Sequence, residues 1–318
     1  MRILPPAWYL PTKSGLAHNL LARKAVYPFY ASFKLTCRCH FGCPFCNVKQ
    51  HRVPDLSTDD IKAILENLSR SPVLMTSFEG CEPLLRPDIG ELLRFARTCK
   101  FYLLFTTRVK NLLDYPLEDY ARYIDFLHVS IDEGHDNLSL FDALPTLVKL
   151  PLQVSVQSVV THDTIDALEE KVRCCHAAGA NIVIIPAAHM DATDNQFPYI
   201  TRLERTMLTL RRKYPATIHT PQGYFKAYRR GACSSASVII APDGALYYPC
   251  HILDRKGPDL RTVDLTRWCA SSEARQGRRV MKQCKRNCGW YQYYSVDSYT
   301  SIGSVWDTLR PVLRTRGK

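Results

Sequence analysis

A chain of 318 residues with 46% hydrophobic and 23% charged side chains has room for one large α/β domain and a smaller unit. Its thirteen cysteines are clustered, no signal peptide is recognisable around Pro5 and Pro6, and no apolar run reaches transmembrane length, which argues against a secreted disulfide scaffold or an integral membrane protein and for reduced thiols and metal sites in the cytoplasm. The net charge of +12 favours acidic partners, but it is spread along the chain rather than gathered in one block, so it makes no strong case for nucleic acid.

Residues 1–30 form an N-terminal segment. Ser14 to Ala25 reads as a short helix with Ser14 as N-cap. Leu16, Leu20, Leu21 and Ala25 fall near one face, with Arg23 and Lys24 off it. Such a basic amphipathic helix can lie at a membrane surface, here the inner face, or pack against the domain. From residue 32 a strand–helix rhythm begins. Strand-length apolar runs occur at 32–36, 73–78, 101–106, 126–131, 152–160 and 181–186. Helical stretches alternate with them at 58–69 (after Ser57 as N-cap), 88–98, 138–149, 164–178 (closed by Gly179) and 200–213. Six such repeats imply parallel βαβ units, with a site at the C-terminal ends of the strands. Residues 214–230, with Pro221 and Gly223, read as a linker and loop whose stretch Gln222 to Tyr228 lies near the substrate pocket.

The first strand runs into LTCRCHFGCPFCNV at 35–48. Cys39, Cys43 and Cys46 stand as C-x3-C-x2-C, with Phe45 just before the last. A loop this short can point three thiolates at one centre but does not readily supply a fourth. Zinc ordinarily takes four ligands, whereas a [4Fe–4S] cluster held by three cysteines leaves one iron open. This motif after an apolar strand resembles the signature of the radical S-adenosylmethionine (radical SAM) enzymes. The resemblance implies that the open iron is chelated by the methionine part of SAM, and that Cys37, which fits the spacing less well, is a non-ligand. It also turns the strand–helix rhythm into a partial (β/α)6 TIM-like barrel over residues 31–215.

Further motifs fit the resemblance. FEGCEPLL at 78–85 is similar to the family's GGEP stretch, which binds the SAM amino group. Gly80, Cys81, Glu82 and Pro83 are then SAM-binding, with Cys81 where the family usually has glycine. Thr106, ending the third strand, and Ser130 and Asp132 of HVSIDEG (128–134) are expected at the cofactor or substrate, as is Gln157 on the fifth strand; Phe45 joins them. His162, His176 and His189 are isolated and read as structural. The C-terminal part carries Cys233, Cys250, Cys269, Cys284 and Cys288 around a hairpin, with strands at 237–241 and 245–248 and a Pro-Asp-Gly turn at 242–244. This part resembles the SPASM/twitch extension, over 216–310, and implies one auxiliary [4Fe–4S] cluster on Cys233, Cys250, Cys284 and Cys288. Cys269 is a possible substitute, and zinc in the same thiolates is the alternative. The basic tail 311–318 reads as frayed.

The chemistry implied is reductive cleavage of SAM to a 5′-deoxyadenosyl radical, fed by an electron donor such as flavodoxin or ferredoxin, and attack on an unactivated carbon. Three substrates compete. A lipid or isoprenoid is favoured by the N-terminal helix, the charge, and a looser likeness to the radical SAM enzymes of hopanoid biosynthesis, carried by Arg23 to Pro28 and Pro249 to Leu253. The alternatives are a peptide, for which little chain precedes residue 30 to form a recognition module, and a sugar or cyclitol. A non-enzymatic iron–sulfur or zinc protein binding nucleic acid is the remaining class.

Overall fold

The computed structural model describes residues 4–46, 53–188, 197–231 and 233–295. The basic tail and His189 lie outside the described residues. Nine strands among them form one sheet in the order β6-β5-β4-β3-β2-β1-β7-β8-β9. Strands β1 (Tyr30–Lys34), β2 (Met75–Glu79), β3 (Tyr102–Thr107), β4 (Phe126–Ser130), β5 (Gln153–Val160) and β6 (Asn181–Pro186) are the six expected ones. Consecutive strands among the six pair in parallel. The sheet stays open, as a partial barrel does.

Helices α1 (Leu10–Ala22), α2 (Thr58–Arg70) and α3 (Ile89–Ala96), with the short α4 (Leu117–Tyr120) and α5 (Leu144–Leu147), precede α6 (Leu168–Ala178) and α7 (Ile200–Lys213). Helix α2 shows why the sequence folds locally as it does. The Ser57 hydroxyl caps its N-terminus by accepting from Asp60 N at 3.1 Å, and Ile61, Ile64, Leu65 and Leu68 recur at helical spacing on the buried face. Gly179 ends α6 at a φ of 76°, a left-handed position that suits a residue without Cβ. The stretch 138–149 is tighter than expected, a 3-10 turn over Leu138–Ala143 leading into α5.

Two sequence expectations are corrected. Helix α1 starts at Leu10, not after Ser14, with a proline in its first turn. Its buried face is small and polar (Thr12, Gly15, Asn19), while Leu21 is exposed. Gly15 sits so close to Pro72 that a Cβ there would lie 2.5 Å from that ring. The Asn19 side chain accepts from Val26 N and Tyr27 N and donates to Tyr27 O, folding the chain back toward β1. The helix packs on the domain through this small polar face and not through its leucines. The second correction concerns 214–230. Gln222–Arg229 is a helix, α8, whose Tyr224, Phe225 and Ala227 are buried, because aromatic side chains at helical spacing outweigh the Pro and Gly that flank them. None of Gln222 to Tyr228 lines the cavity described below.

The C-terminal hairpin, β7 (Ser237–Ile240) and β8 (Ala245–Tyr247), turns at Gly244 with a φ of 85°, as the Pro-Asp-Gly signal predicts. It does not stand apart. Strand β7 pairs in parallel with β1, and β9 (Lys256–Asp259) extends the sheet antiparallel beyond β8. Helices α9 (Leu265–Cys269), α10 (Ser272–Gln283) and α11 (Tyr291–Ser295) complete the chain. A buried polar tie fastens this part to the barrel helices. The Asn67 side chain donates to Leu260 O and Val263 O, each at 2.7 Å, and accepts from Leu265 N at 3.0 Å. Replacing Asn67 by Leu leaves two buried backbone groups and one half-buried one unpaired, so stability in urea unfolding should fall by about 3 kcal/mol. A loss under about 0.5 kcal/mol would mean that water substitutes for the amide.

Candidate active site

The site forms where β1 and β2 end. Because β1 and β2 are parallel and in register, with Lys34 opposite Glu79, the loops leaving them travel side by side. Their backbones stay hydrogen-bonded beyond the strands: Leu35 N donates to Glu79 O, Cys81 N to Thr36 O, and Glu82 N to Arg38 O. The turn 80–83 is thus strapped to the base of the cysteine loop. Gly80 makes this possible. Its φ is 139°, and a Cβ would meet Thr36 O at 3.0 Å and Lys34 Cα at 3.2 Å. Cys81 keeps an ordinary negative φ, so the backbone tolerates a side chain where the family motif has glycine. The returning chain pins the same loop. The Asp55 carboxylate accepts from the Thr36 hydroxyl and from Arg38, and the buried Arg86 donates to Leu35 O, Leu56 O and Asp88.

Cys39, Cys43 and Cys46 gather around Arg108, whose guanidinium opposes its own burial by the charge of Glu82 and of these three thiols. The Cys39 thiol is pulled down to about 5, first by the Cys81 thiol against it and then by Phe41 N and nearby Arg108, while burial pushes Cys43 up to about 11. Cys37 is half-buried, and burial leads in raising its thiol, opposed by the Val53 backbone and by the charge of Lys34. Phe45 packs edge-on against His135 with ring centroids 5.5 Å apart. Gly134 leaves room for that ring, since a Cβ there would stand 2.1 Å from it.

Glu82 and Asp132 do not face open space. Glu82 is fully buried: Oε1 accepts from Leu84 N and the Thr107 hydroxyl, and Oε2 from Arg108 N at 3.0 Å. Asp132 caps the turn that follows β4, accepting from His135 N and Val159 N, with the His135 ring at 2.7 Å. Both acids brace the loops, and Pro83 opens a buried 3-10 turn behind them. Phe45, Cys46, Gly80, Thr106, Ser130 and Gln157 do line one cavity, of about 390 Å³, at the barrel mouth.

That cavity also holds residues that the motifs did not indicate. Tyr30, Lys34, Glu79, Arg108, His128 and His219 face it from the barrel, and Trp290, Tyr291 and Gln292 enter it from the chain's C-terminal part. The first three were readable in principle from strand alternation, since a lysine and a glutamate inside apolar strands stand out. The carboxyl of Glu79 is raised by burial, an effect that Lys34 and Gln292 oppose. Gln157 Nε2 lies 2.5 Å from His128 Nδ1, and burial pushes His128 down to about 4, with His219 adding to the effect.

The second cysteine group is also brought together in part. Cys233, Cys250, Cys284 and Cys288 lie near enough to feel one another's charge, and burial leads in raising Cys233 to about 12 and Cys250 to about 11. Cys269 does not join them. It is buried beside Arg278 and Asp264 in the main core. Tyr293 and Tyr294 pack over the four thiols, and the Tyr293 hydroxyl accepts from His251 N. All thirteen cysteines are free, and no three metal-binding side chains among the described residues converge tightly enough to chelate a single ion.

A family profile described as the radical SAM superfamily matches residues 33–201. That is more than half of the chain, and the chain belongs to this superfamily. It is similar to the PqqA peptide cyclase of Rhodopseudomonas palustris, 37% identical over 78 residues, which are 24% of this chain and 21% of that protein. It is similar also to the 7,8-dihydro-6-hydroxymethylpterin dimethyltransferase of Methanocaldococcus jannaschii, 37% identical over 76 residues, 22% of this chain and 15% of that one. The chain thus spans about a fifth or less of the length of these curated relatives. In fold it resembles Streptococcus suis SuiB, solved with its precursor peptide SuiA, with a TM-score of 0.67 at 14% identity, covering 84% of this chain and 70% of that one. It resembles anSMEcpe, solved with AdoMet and the Cp18Cys peptide, with a TM-score of 0.61 at 14% identity, covering 91% and 99%. No helix among the described residues is long and apolar enough to cross a membrane.

His128 gives the site a pH signature. Its folded pKa of about 4 lies below the 6.5 of a free histidine, so the unfolded chain binds more protons between those values. Stability should therefore fall as pH drops from about 6.5 toward 4 and be flat for this group above that. His128→Asn should flatten the slope between urea unfolding at pH 7 and pH 5; an unchanged slope would show that other groups carry it.

Proposed function

We propose that the chain is a radical SAM enzyme acting on a peptide, with Cys39, Cys43 and Cys46 holding the SAM-binding cluster and Cys233, Cys250, Cys284 and Cys288 an auxiliary [4Fe–4S] cluster. The observation that carries the reading is a cavity that joins the cysteine loop to the C-terminal part of the chain. Its floor is the barrel mouth beside Cys46, and its roof is Trp290 to Gln292, which follow Cys288 after Gly289. Enzymes similar to this chain in sequence or fold bear the names of peptide substrates. The isoprenoid reading leaned on an amphipathic N-terminal helix, and the polar buried face of α1 removes that support.

The donor set fits the groups proposed. Three thiols on one short loop leave a cluster iron for a small ligand, whereas four thiols from separated positions close a cluster that has only electrons to exchange. When bound, the first cluster with SAM supplies a 5′-deoxyadenosyl radical. The chain's own residues do the rest. Gly80 and Cys81 would meet the cofactor through the backbone of the strapped turn, Gly80 O also accepting from Arg108 at 3.1 Å, and Glu82 holds that turn through the Thr107 hydroxyl and Arg108 N. Thr106, Ser130 and Gln157 offer hydroxyls and an amide to a ribose. Trp290 and Tyr291 wall one side of the cavity and would help keep water from a reactive carbon. An external one-electron donor such as flavodoxin or ferredoxin is required.

Anaerobic reconstitution, reduction with dithionite and assay of 5′-deoxyadenosine tests the reading. Wild type should form product, and Cys43→Ala should form none and lose about four irons per chain. Cys288→Ala should lose a similar amount of iron and still cleave SAM without peptide. Cleavage that survives Cys43→Ala would overturn the assignment of the first cluster.

A further inference from the structure

Most polar groups at the cavity wall already have partners in the protein. The Tyr30 phenol lies beside Ser77 and Gln292, Gln157 meets His128, and Glu79 accepts from Gln292 Nε2 at 3.3 Å. Arg108 is matched by Gly80 O and lies beside Glu82. Among the lysine, arginine and glutamate side chains at the wall, Lys34 is the exception. Its residue is only 7% exposed and it faces the cavity, yet its ammonium has no hydrogen bond or ion pair among the described residues. It lies over the Trp290 ring, 5.8 Å from the centroid. Its strand neighbour Glu79 is in register with it, but the two heads do not pair.

The ammonium opens onto the cavity without a protein acceptor among the described residues, and an aromatic face answers only part of its charge. A chain that keeps such an ammonium at the wall of its reaction cavity has a place ready for an anion. The head lies over Trp290 on the roof, whereas the turn 80–83 is strapped to the base of the cysteine loop. An anion that meets it beside Trp290 is on the roof side of the cavity. Leu104, Val183 and Ile185 add apolar lining to the same cavity, and its other strong cation, Arg108, is already engaged by Gly80 O and Glu82.

We propose that Lys34 is a substrate-anchoring residue that takes a carboxylate, with Trp290 holding its ammonium in place. The proposal rests on the reading that the cavity receives a peptide, whose anionic groups are acidic side chains and the C-terminus. A peptide so anchored lies between the β1–β2 edge and the C-terminal roof, which fixes which of its carbons faces the cofactor.

The test uses the reconstituted holoenzyme with SAM, under anaerobic equilibrium dialysis against three labelled probes. Acetyl-Gly-Glu-Gly-amide presents a side-chain carboxylate, acetyl-Gly-Gly-Gly a terminal one, and acetyl-Gly-Gln-Gly-amide neither. One of the acidic probes should bind wild type at least about tenfold more tightly than the neutral probe, and Lys34→Met should abolish that difference. Lys34→Arg should retain most of it, and Kd for SAM and iron content should stay within about twofold in both variants. Equal binding of all three probes, or no binding of either acidic one, overturns the anchor. So does a Lys34→Met variant that loses SAM rather than the probe, which would assign Lys34 to the cofactor. A wild type that binds the acidic probe but never cleaves SAM would instead overturn the radical reading and leave the anchor standing.

Discussion

The site depends on a backbone strap. Two parallel strands in register, β1 and β2, keep exchanging hydrogen bonds after both have ended, through Thr36, Arg38, Cys81 and Glu82. Everything chemical hangs from it. The strap requires the positive φ of Gly80 and close approach to Lys34 and Thr36, which a Cβ would prevent. It holds Glu82 where three donors from two segments reach it, so that a buried carboxylate is satisfied rather than exposed to ligand. It also sets Cys81 against Cys39. A cysteine loop with almost no regular structure of its own thereby inherits the rigidity of the sheet.

The same sheet brings the C-terminal part into the site. Because β7 pairs directly with β1, the strand carrying Lys34 lies between the barrel and the hairpin that leads to Cys250. Asn67 ties the segment after β9 to helix α2, and Tyr224 donates to Gly289 O, fixing the segment that follows Cys288. The roof residues Trp290 to Gln292 are placed by these ties and not by a flexible linker. An auxiliary cluster on the four C-terminal thiols would therefore stand at a fixed distance from the cavity, as an electron-accepting group must if it is to act in each turnover.

Much of the fold was legible in the sequence for a simple reason. Buried parallel strands read as apolar runs, and helices capped by Ser57 and closed by Gly179 announce their ends. The three clustered thiols, and the glycine and proline of 80–83, were equally plain because spacing constrains them. Other features were not. Glu82 and Asp132 looked like ligand-facing acids, yet only their long-range partners, Arg108 N and Val159 N, reveal that they brace loops. The roof depends on which distant strand β7 joins, which no local pattern encodes. Helix α8 was hidden behind Pro221 and Gly223, and α1 buries a glycine face where its leucines suggested the opposite. Lys34 carried a signal, a cation on an inward-facing strand position, that motif matching passes over.

The central claim is that two cysteine groups hold two clusters of different character, one open to SAM and one closed. Mössbauer spectroscopy of protein reconstituted with iron-57, recorded with and without SAM, tests this most directly. The account predicts two [4Fe–4S] clusters, with SAM altering one iron site of one cluster and leaving the other cluster unchanged, and loss of the SAM-responsive cluster alone in Cys43→Ala. A spectrum in which no iron site responds to SAM, or in which the responsive cluster survives that substitution, would contradict it.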